Sequence, residues 1–341
     1  KVVSTYGENW FEYINSSTKR VHSNYTQIMN TGRLSSGQKG NKKKGFAQMP
    51  NMQNIPSDTR TRSCFEAEAG NILVVSDYSG QEQIVLANKS EDKDLLEFYA
   101  KGLGDMHSFV ASKIFPELAN LSLEEIKRDH KKKRQIAKGA GFAINYGGTG
   151  ITISQNLNIS MDKGEEVYKA YFKAFPGLAD YFKQEKKKAI ELGYVQFNTI
   201  SGRKCFVPFF DEFKELRDEI QNDPNLNNDK FRNHYKPKVS KYFMKRGNIE
   251  RMSLNYPIQG SSADITKLAG VYFFRYLIEN DLLFKVKMAN VVHDEWIVEC
   301  GESISKAISI SLQDCMERAG DVFCKTVKLK AEPEITKYWQ H

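Results

Sequence analysis

The sequence predicts an α+β fold, a small and mostly antiparallel sheet interrupted by a large helical block. Three observations lead there. "NILVVSDYSG" reads as a short buried strand, Ile72 to Ser76, that runs out at Asp77. Residues 80–200 then follow a mainly helical period. Near the end, "KVKMANVVHDEWIVEC", residues 285–300, sets Val286, Met288, Val291, Val292, Trp296, Ile297 and Val298 around His293, Asp294 and Glu295, as in a buried hairpin with charge at its turn.

Taken in order, residues 1–30 are polar and aromatic with no long periodic run. Residues 31–63 are rich in Gly, Ser, Asn and Pro, carry a Lys run at 42–44, and read as loop. Inside the helical block, Tyr168, Tyr171, Phe172 and Phe175 recur at helical spacing before Pro176 and Gly177, the pattern of a core face. "SGRKCFVP" reads as a turn and a strand. Residues 209–245 are highly charged and include "NDPNLNNDK", which predicts a surface insertion. A helix is expected from Ser261 after "YPIQG", then the hairpin, then a last helix from about Ser303 to Ala319. No internal repeat is visible.

A chain of 341 residues can bury two or more cores, and 40% apolar with 12% aromatic residues is ordinary for a globular protein. The net charge of +8 suits an anionic partner, although a lysine-rich surface also serves solubility alone. The five cysteines form no C-x-x-C pair, which predicts reduced thiols, no structural zinc and a cytosol-like compartment. No apolar run approaches the roughly 20 residues of a membrane span, and no stretch reads as a signal peptide. The chain opens on Lys1 in mid-pattern, which predicts a domain of something larger.

Two carboxylates stand out. Asp77 ends a strand and Asp294 sits at a hairpin turn, each preceded by core residues. If the strands are neighbours, the two anions converge, and like charges at close range need a cation between them. Mg²⁺ suits a few carboxylates plus substrate phosphates, and two such ions about 4 Å apart clamp the attacking and leaving oxygens of a phosphoryl transfer. The same pair also fits two unrelated turn aspartates.

"KKKRQIAKGAGFAINYGG", residues 131–148, adds a second constellation. Arg134, Lys138, Phe142 and Tyr146 are spaced by four, so on a helix they cover about 120° of one face. The cations suit a chain of phosphates and the aromatics a base and sugar beyond it. A solvated basic run followed by two core aromatics is the alternative. Gly139 and Gly141 cost this helix about 1 kcal/mol each, tolerable where a ligand or backbone approaches closely or the helix moves.

Together these stretches resemble the polymerase domain of family A DNA polymerases, the DNA polymerase I family. "VVSDYSGQEQIVLA" resembles its motif A, "RQIAKGAGFAINYG" matches its motif B at every fixed position, and "VVHDE" matches motif C. "TGRLSS", "PNMQNIP", "GDMHS" and "RMSLNYPIQGSSAD" resemble four further family segments in the family's order, so the resemblance spans nearly the whole chain. It implies a right-hand polymerase fold: an antiparallel palm sheet with a large helical fingers insertion, the thumb mostly absent. Residues 1–30 would end the thumb and enter the palm, 31–82 form the first part of the palm, and 83–205 form fingers with the motif B helix at 131–147. Residues 206–341 would complete the palm, with the motif C hairpin at 285–300 and the insertion at 209–245. Most of the thumb, and any 3′–5′ exonuclease, would precede residue 1.

The resemblance also implies roles. Asp77, Asp294 and the backbone carbonyl of Tyr78 would hold two Mg²⁺ ions, with Mn²⁺ as a substitute, and Glu295 would support the site. His293 would touch the primer terminus. Arg134, Lys138 and His107 would grip the incoming triphosphate, with Lys138 also protonating the leaving pyrophosphate. Phe142 would pack on the deoxyribose, Tyr146 near the templating base, and Glu82 would block a ribose 2′-OH and bond to Tyr146. Arg33, Asn51, Gln53, Asn54, Arg251, Asn255 and Gln259 would contact primer-template DNA, largely from the minor groove, where acceptors look alike for every correct pair. Phe142, rather than Tyr, implies rejection of dideoxynucleotides.

The implied enzyme is a template-directed DNA polymerase using dNTPs. It would act as a monomer, without a membrane, in a bacterial or phage-infected cytoplasm, in replication or repair, with any accessory replication proteins unidentified. Motif A departs from the usual D-Y-S-Q-I-E-L-R at Gly80, Gln81, Gln83 and Ile84. Gly80 resembles the phage branch, and all four alter the surroundings of Glu82. Two other readings stay open: a single-subunit RNA polymerase or reverse transcriptase with relaxed sugar choice, and a catalytically idle DNA-binding module.

Overall fold

Valine- and isoleucine-rich runs at 71–78 and 286–301 pair as extended strands, because β-branched side chains pack well on a pleated surface. The structure, a computed structural model, describes residues 8–40, 48–222 and 229–340, with side chains at all of these except 8, 9 and 229–236. The Lys run at 42–44 and residues 223–228 of the expected insertion loop lie outside the described residues.

The strands are β1 (Tyr25–Thr26), β2 (Ser35–Ser36), β3 (Asn71–Tyr78), β4 (Tyr194–Gln196), β5 (Lys204–Phe206), β6 (Val286–Val292), β7 (Glu295–Gly301) and β8 (Ala331–Thr336). The helices are α1 (Thr59–Arg62), α2 (Gln81–Ser90), α3 (Lys93–Ala100), α4 (Met106–Ile114), α5 (Leu123–Asp129) and α6 (Lys131–Asn145), followed by α7 (Gly150–Leu157), α8 (Met161–Ala174), α9 (Pro176–Leu192), α10 (Phe210–Asn222), α11 (Asp229–Glu279) and α12 (Ser305–Phe323). The chain divides into two compact units, Lys1–Glu82 with Gln259–His341, and Gln83–Ile258.

The first unit is built on a four-stranded sheet in the order β6-β7-β3-β8, antiparallel throughout. Leu73 and Val75 of β3, Val292 of β6 and Ile297 of β7 join Ile55, Ala67 and Trp339 in one core, flanked by Trp10 and Phe65. Helix α12 packs against β3 and β8 and buries Ile308, Leu312, Met316 and Ala319. The Tyr78 hydroxyl donates to the Met316 carbonyl at 2.7 Å, tying β3 to that helix. The end of α11 buries Ile265, Ala269, Phe273 and Leu277 at steps of four. It approaches β7 so closely that a Cβ on Gly270 would lie 2.5 Å from the Trp296 ring. The fourth strand, β8, was not expected from the sequence. Its "AEPEIT" carries Pro333, which lacks a backbone donor, and the strand holds an edge, where that lack is tolerated.

The second unit is mainly helical, as the period of 80–200 predicts. Tyr171 and Phe175 are buried, as the aromatic stripe requires. Two expectations are corrected. Residues 209–245 are not merely a surface insertion: α10 turns Phe213, Leu216 and Ile220 inward, and Phe213, Ile220 and Tyr242 share a core with Ala189, Val195, Val207 and Ile249. Three apolar residues among many charges are enough for a narrow helical stripe. Nor does a helix begin at Ser261. α11 runs through Pro257, whose missing donor removes one backbone hydrogen bond while Leu254 and Ile258 beside it are buried. No helix among the described residues is long and apolar enough to cross a membrane.

Candidate active site

The β3–β7 ladder ends with Ser76 opposite Trp296. Asp77 is the next residue on β3, and Asp294 lies two residues before Trp296, so both stand just past the end of one ladder. Val292 pairs with Glu295, which leaves His293 and Asp294 as a two-residue hairpin turn. His293 takes φ +56° there, the left-handed conformation that turns with a positive first φ demand and that glycine normally supplies. Holding a histidine in it stores strain of order 1 kcal/mol at the tip. The Asp294 carboxyl is pushed up to about 7, first by burial and then by the negative charge of Asp77; Glu82 adds to the push and Arg33 opposes it. Burial and the Arg33 charge push the His293 imidazole down.

Glu295 opens β7 and is buried. Arg62 Nη1 donates to one of its oxygens at 3.2 Å and Trp339 Nε1 to the other at 2.8 Å. The Arg62 guanidinium also lies over the Trp339 ring, 4.4 Å from its centre. This trio anchors the residue next to Asp294 from α1 and the chain's end. Sequence reasoning did not single out Arg62 or Trp339, since their partner is more than 40 positions away from each. Glu82, at the start of α2, is ion-paired with Arg33. Beside it Gln81 is buried and donates to the Thr266 hydroxyl at 3.2 Å, so this departure from the usual motif anchors the start of α2.

Among the expected DNA contacts of this unit, Asn51 caps a short turn by accepting from the Gln53 amide N–H. The buried Gln53 side chain donates to the Val291 carbonyl at 3.2 Å and so braces β6. Asn54 is exposed and Gln259 half-buried. Gln53, Arg33, His293, Thr266 and Lys267 line one small cleft.

In the second unit, α6 carries Arg134, Lys138 and Phe142, and Tyr146 caps its C-terminus. Ala137, Ala140, Ala143 and Ile144 bury the opposite side. Gly139 lets α7 approach, since a Cβ there would sit 2.5 Å from Leu157 Cδ2. Phe142 is 67% exposed, which removes the alternative that it is a core aromatic. The Phe142 and Tyr146 ring centres are 4.9 Å apart. His107 lies in the first turn of α4, and its imidazole is lowered chiefly by burial, with Arg134 and Lys138 adding to the effect against Asp105. Arg251 is exposed and bonds to Asn248, and Asn255 is half-buried.

The donor set fits Mg²⁺ chemistry. The Asp77 and Asp294 carboxylates and the Tyr78 carbonyl would be hard oxygen donors for such an ion, and burial with the Asp77 charge raises the Asp294 carboxyl, as close acids do. No cluster of three or more His, Cys, Asp or Glu side chains suited to a metal occurs among the described residues. Such an ion would therefore complete its shell with water and phosphate oxygens, as Mg²⁺ commonly does.

The sequence profile of DNA polymerase family A matches residues 1–341. The chain is 31% identical to DNA polymerase I of Rhizobium leguminosarum over 94% of its length and 27% of that protein's. It is 29% identical to DNA polymerase I of Pseudomonas aeruginosa over 99% of its length and 32% of that protein's. It therefore spans about a third of these curated relatives. Among solved structures it is similar to the POL domain of Pol1 from M. smegmatis, in complex with DNA primer-template and dNTP. That similarity has a TM-score of 0.76 and 27% identity, over 98% of this chain and 50% of that one. A two-aspartate strand end, a cationic and aromatic helix face, and a profile match across the whole length lead to one conclusion: the chain belongs to DNA polymerase family A.

Proposed function

We propose that this chain is the catalytic part of a DNA-templated DNA polymerase, extending a primer 3′-OH with dNTPs by two-metal-ion phosphoryl transfer. The observation that carries the reading is Asp294, held beside Asp77 at the end of a rigid ladder with its carboxyl raised to about 7. That placement is costly unless a cation offsets it. We read residues 31–82 and 206–341 as palm and residues 83–205 as fingers, with 206–258 grouped by contacts in the second compact unit.

Asp77, Asp294 and the Tyr78 carbonyl would hold Mg²⁺, or Mn²⁺ in its place. Such ions supply countercharge at the attacking and leaving oxygens. The chain's own residues do the rest by position. Arg134 and Lys138 bind the triphosphate, and Lys138 would give a proton to the leaving pyrophosphate, as the resemblance implies. His107, with its imidazole lowered, donates at pH 7 as the neutral ring. Phe142 packs against the deoxyribose and Tyr146 near the templating base. Glu82 excludes a ribose 2′-OH, and its ion pair with Arg33 fixes its direction. Glu295 supports Asp294 through the Arg62–Trp339 anchor. His293, Arg33, Asn51, Gln53, Asn54, Arg251, Asn255 and Gln259 meet primer-template DNA, and Gln53 also braces β6. We read the chain as acting as a monomer; the bacterial relatives and the phage-like Gly80 support action in DNA replication or repair, in a bacterial or phage-infected cytoplasm.

The test is primer extension by the full-length protein with Mg²⁺ on a defined primer-template. Extension with dNTPs and not rNTPs is expected. Equal use of rNTPs would mean that Glu82 does not act as the sugar gate.

A further inference from the structure

The N-terminus of α6 is electrostatically unusual. Its first four residues are Lys131, Lys132, Lys133 and Arg134, with no acid in the first turn, and His130 gives no side-chain cap. Cations there oppose the helix dipole, which favours an anion at that end. One carboxylate answers Arg134. Asp105 accepts from Arg134 Nε at 2.7 Å and from Nη2 at 2.6 Å, a two-pronged pair on the Nε–Nη2 edge of the guanidinium. The same Asp105 oxygen that takes Nε also accepts from the Ser108 backbone N–H at 2.9 Å, capping α4 two residues before His107. Both partners are largely buried, with 24% and 19% of their side chains exposed. The guanidinium beside it holds the Asp105 carboxyl well below the usual carboxylate range, so it stays ionised at working pH.

We infer that Asp105 is a positioning residue for triphosphate recognition, locking the Arg134 guanidinium by one edge so that its Nη1 side faces phosphate oxygens, while fixing the helix start that carries His107. One anion thereby orders two of the three groups assigned to the triphosphate. The inference rests on that assignment. The planar fork of arginine makes it effective: two bonds on one edge fix the plane of the other, which a lysine could not do. The pair also prevents Arg134 from lying along its own cationic helix end.

The cap and the fork can be separated by substitution. Asp105→Ser retains a capping oxygen but cannot reach Arg134 with two acceptors, whereas Asp105→Ala loses both functions. With the full-length protein, binding of inorganic tripolyphosphate is measured by calorimetry, and the dNTP KM and kcat by single-nucleotide extension. For Asp105→Ser, about tenfold weaker tripolyphosphate binding and a matching rise in dNTP KM are expected, with kcat nearly unchanged and a loss of thermal stability smaller than in Asp105→Ala, which also loses the cap. Arg134→Ala alone and with Asp105→Ser should bind equally weakly, because the serine change acts only through Arg134. Unchanged binding in Asp105→Ser, with stability lost only in Asp105→Ala, would reduce Asp105 to a helix cap and overturn the inference. Tighter binding in Asp105→Ser would make Asp105 a competitor of phosphate and overturn it too. If Arg134→Ala binds tripolyphosphate as well as the parent, the triphosphate assignment itself fails, an outcome distinct from the other two.

Discussion

Replacing Asp294 by Asn should destroy extension and stabilise the metal-free protein. The structure gives the size and the sign. The Asp294 carboxyl rises from its ordinary value of 3.8 to about 7 in the folded chain. Each unit of difference is worth about 1.4 kcal/mol, so ionised Asp294 costs the fold at most about 4 kcal/mol. An acid raised by folding leaves stability intact below its unfolded pKa and erodes it as pH climbs. Below about pH 4 both states are protonated and the term vanishes; between 4 and 7 the unfolded chain releases the proton first and stability falls; above 7 the loss levels off. The assay is urea unfolding in chelator at pH 4 and pH 8. The variant should match the parent at pH 4 and exceed it at pH 8 by a few kcal/mol. Adding Mg²⁺ should then stabilise the parent and leave the variant nearly unmoved. A variant no more stable than its parent at pH 8 without metal would refute the claim that the acids are held together against repulsion.

Other outcomes follow from the same geometry. Arg62→Met removes the Arg62 Nη1 donor from the buried Glu295, so urea unfolding should show a loss of about 1–3 kcal/mol, and unchanged stability would place the hairpin's support elsewhere. Gly270→Ala drives a methyl into the Trp296 ring and should destabilise by about 1–3 kcal/mol although alanine is the better helix former; equal or greater stability would contradict the close approach. The family resemblance, rather than the geometry, implies that Phe142→Tyr relaxes discrimination against dideoxynucleotides, measured by competition with dNTPs, and equal terminator use by both proteins would exclude a role for the exposed Phe142 ring in sugar choice.

What the sequence revealed and what it hid differ by range. Asp77 at the end of β3, the turn at His293 and Asp294, and the face shared by Arg134, Lys138 and Phe142 follow from periods of two and four over short stretches, and local pattern is where sequence speaks most clearly. Pro333 disguised β8, because an edge strand tolerates what an inner strand does not. Pro257 suggested a helix boundary that the buried Leu254 and Ile258 override. Charge masked the stripe of Phe213, Leu216 and Ile220 in α10. In the site, the missing pieces were partners: Arg62 and Trp339 for Glu295, and Asp105 for Arg134. Each joins segments far apart in the chain, and only the fold brings them together. Asp105 did leave one local sign, an aspartate directly before the apolar period of α4, the mark of a helix cap.

The measurement that tests the central claim most directly is single-nucleotide incorporation by the full-length protein with Mg²⁺, parent against Asp294→Asn, with DNA affinity measured in parallel. The account predicts incorporation of the complementary dNTP by the parent, its loss in the variant, and unchanged DNA binding. Tight DNA binding with no incorporation by the parent, or undiminished incorporation by the variant, would contradict a polymerase that works through Asp77 and Asp294.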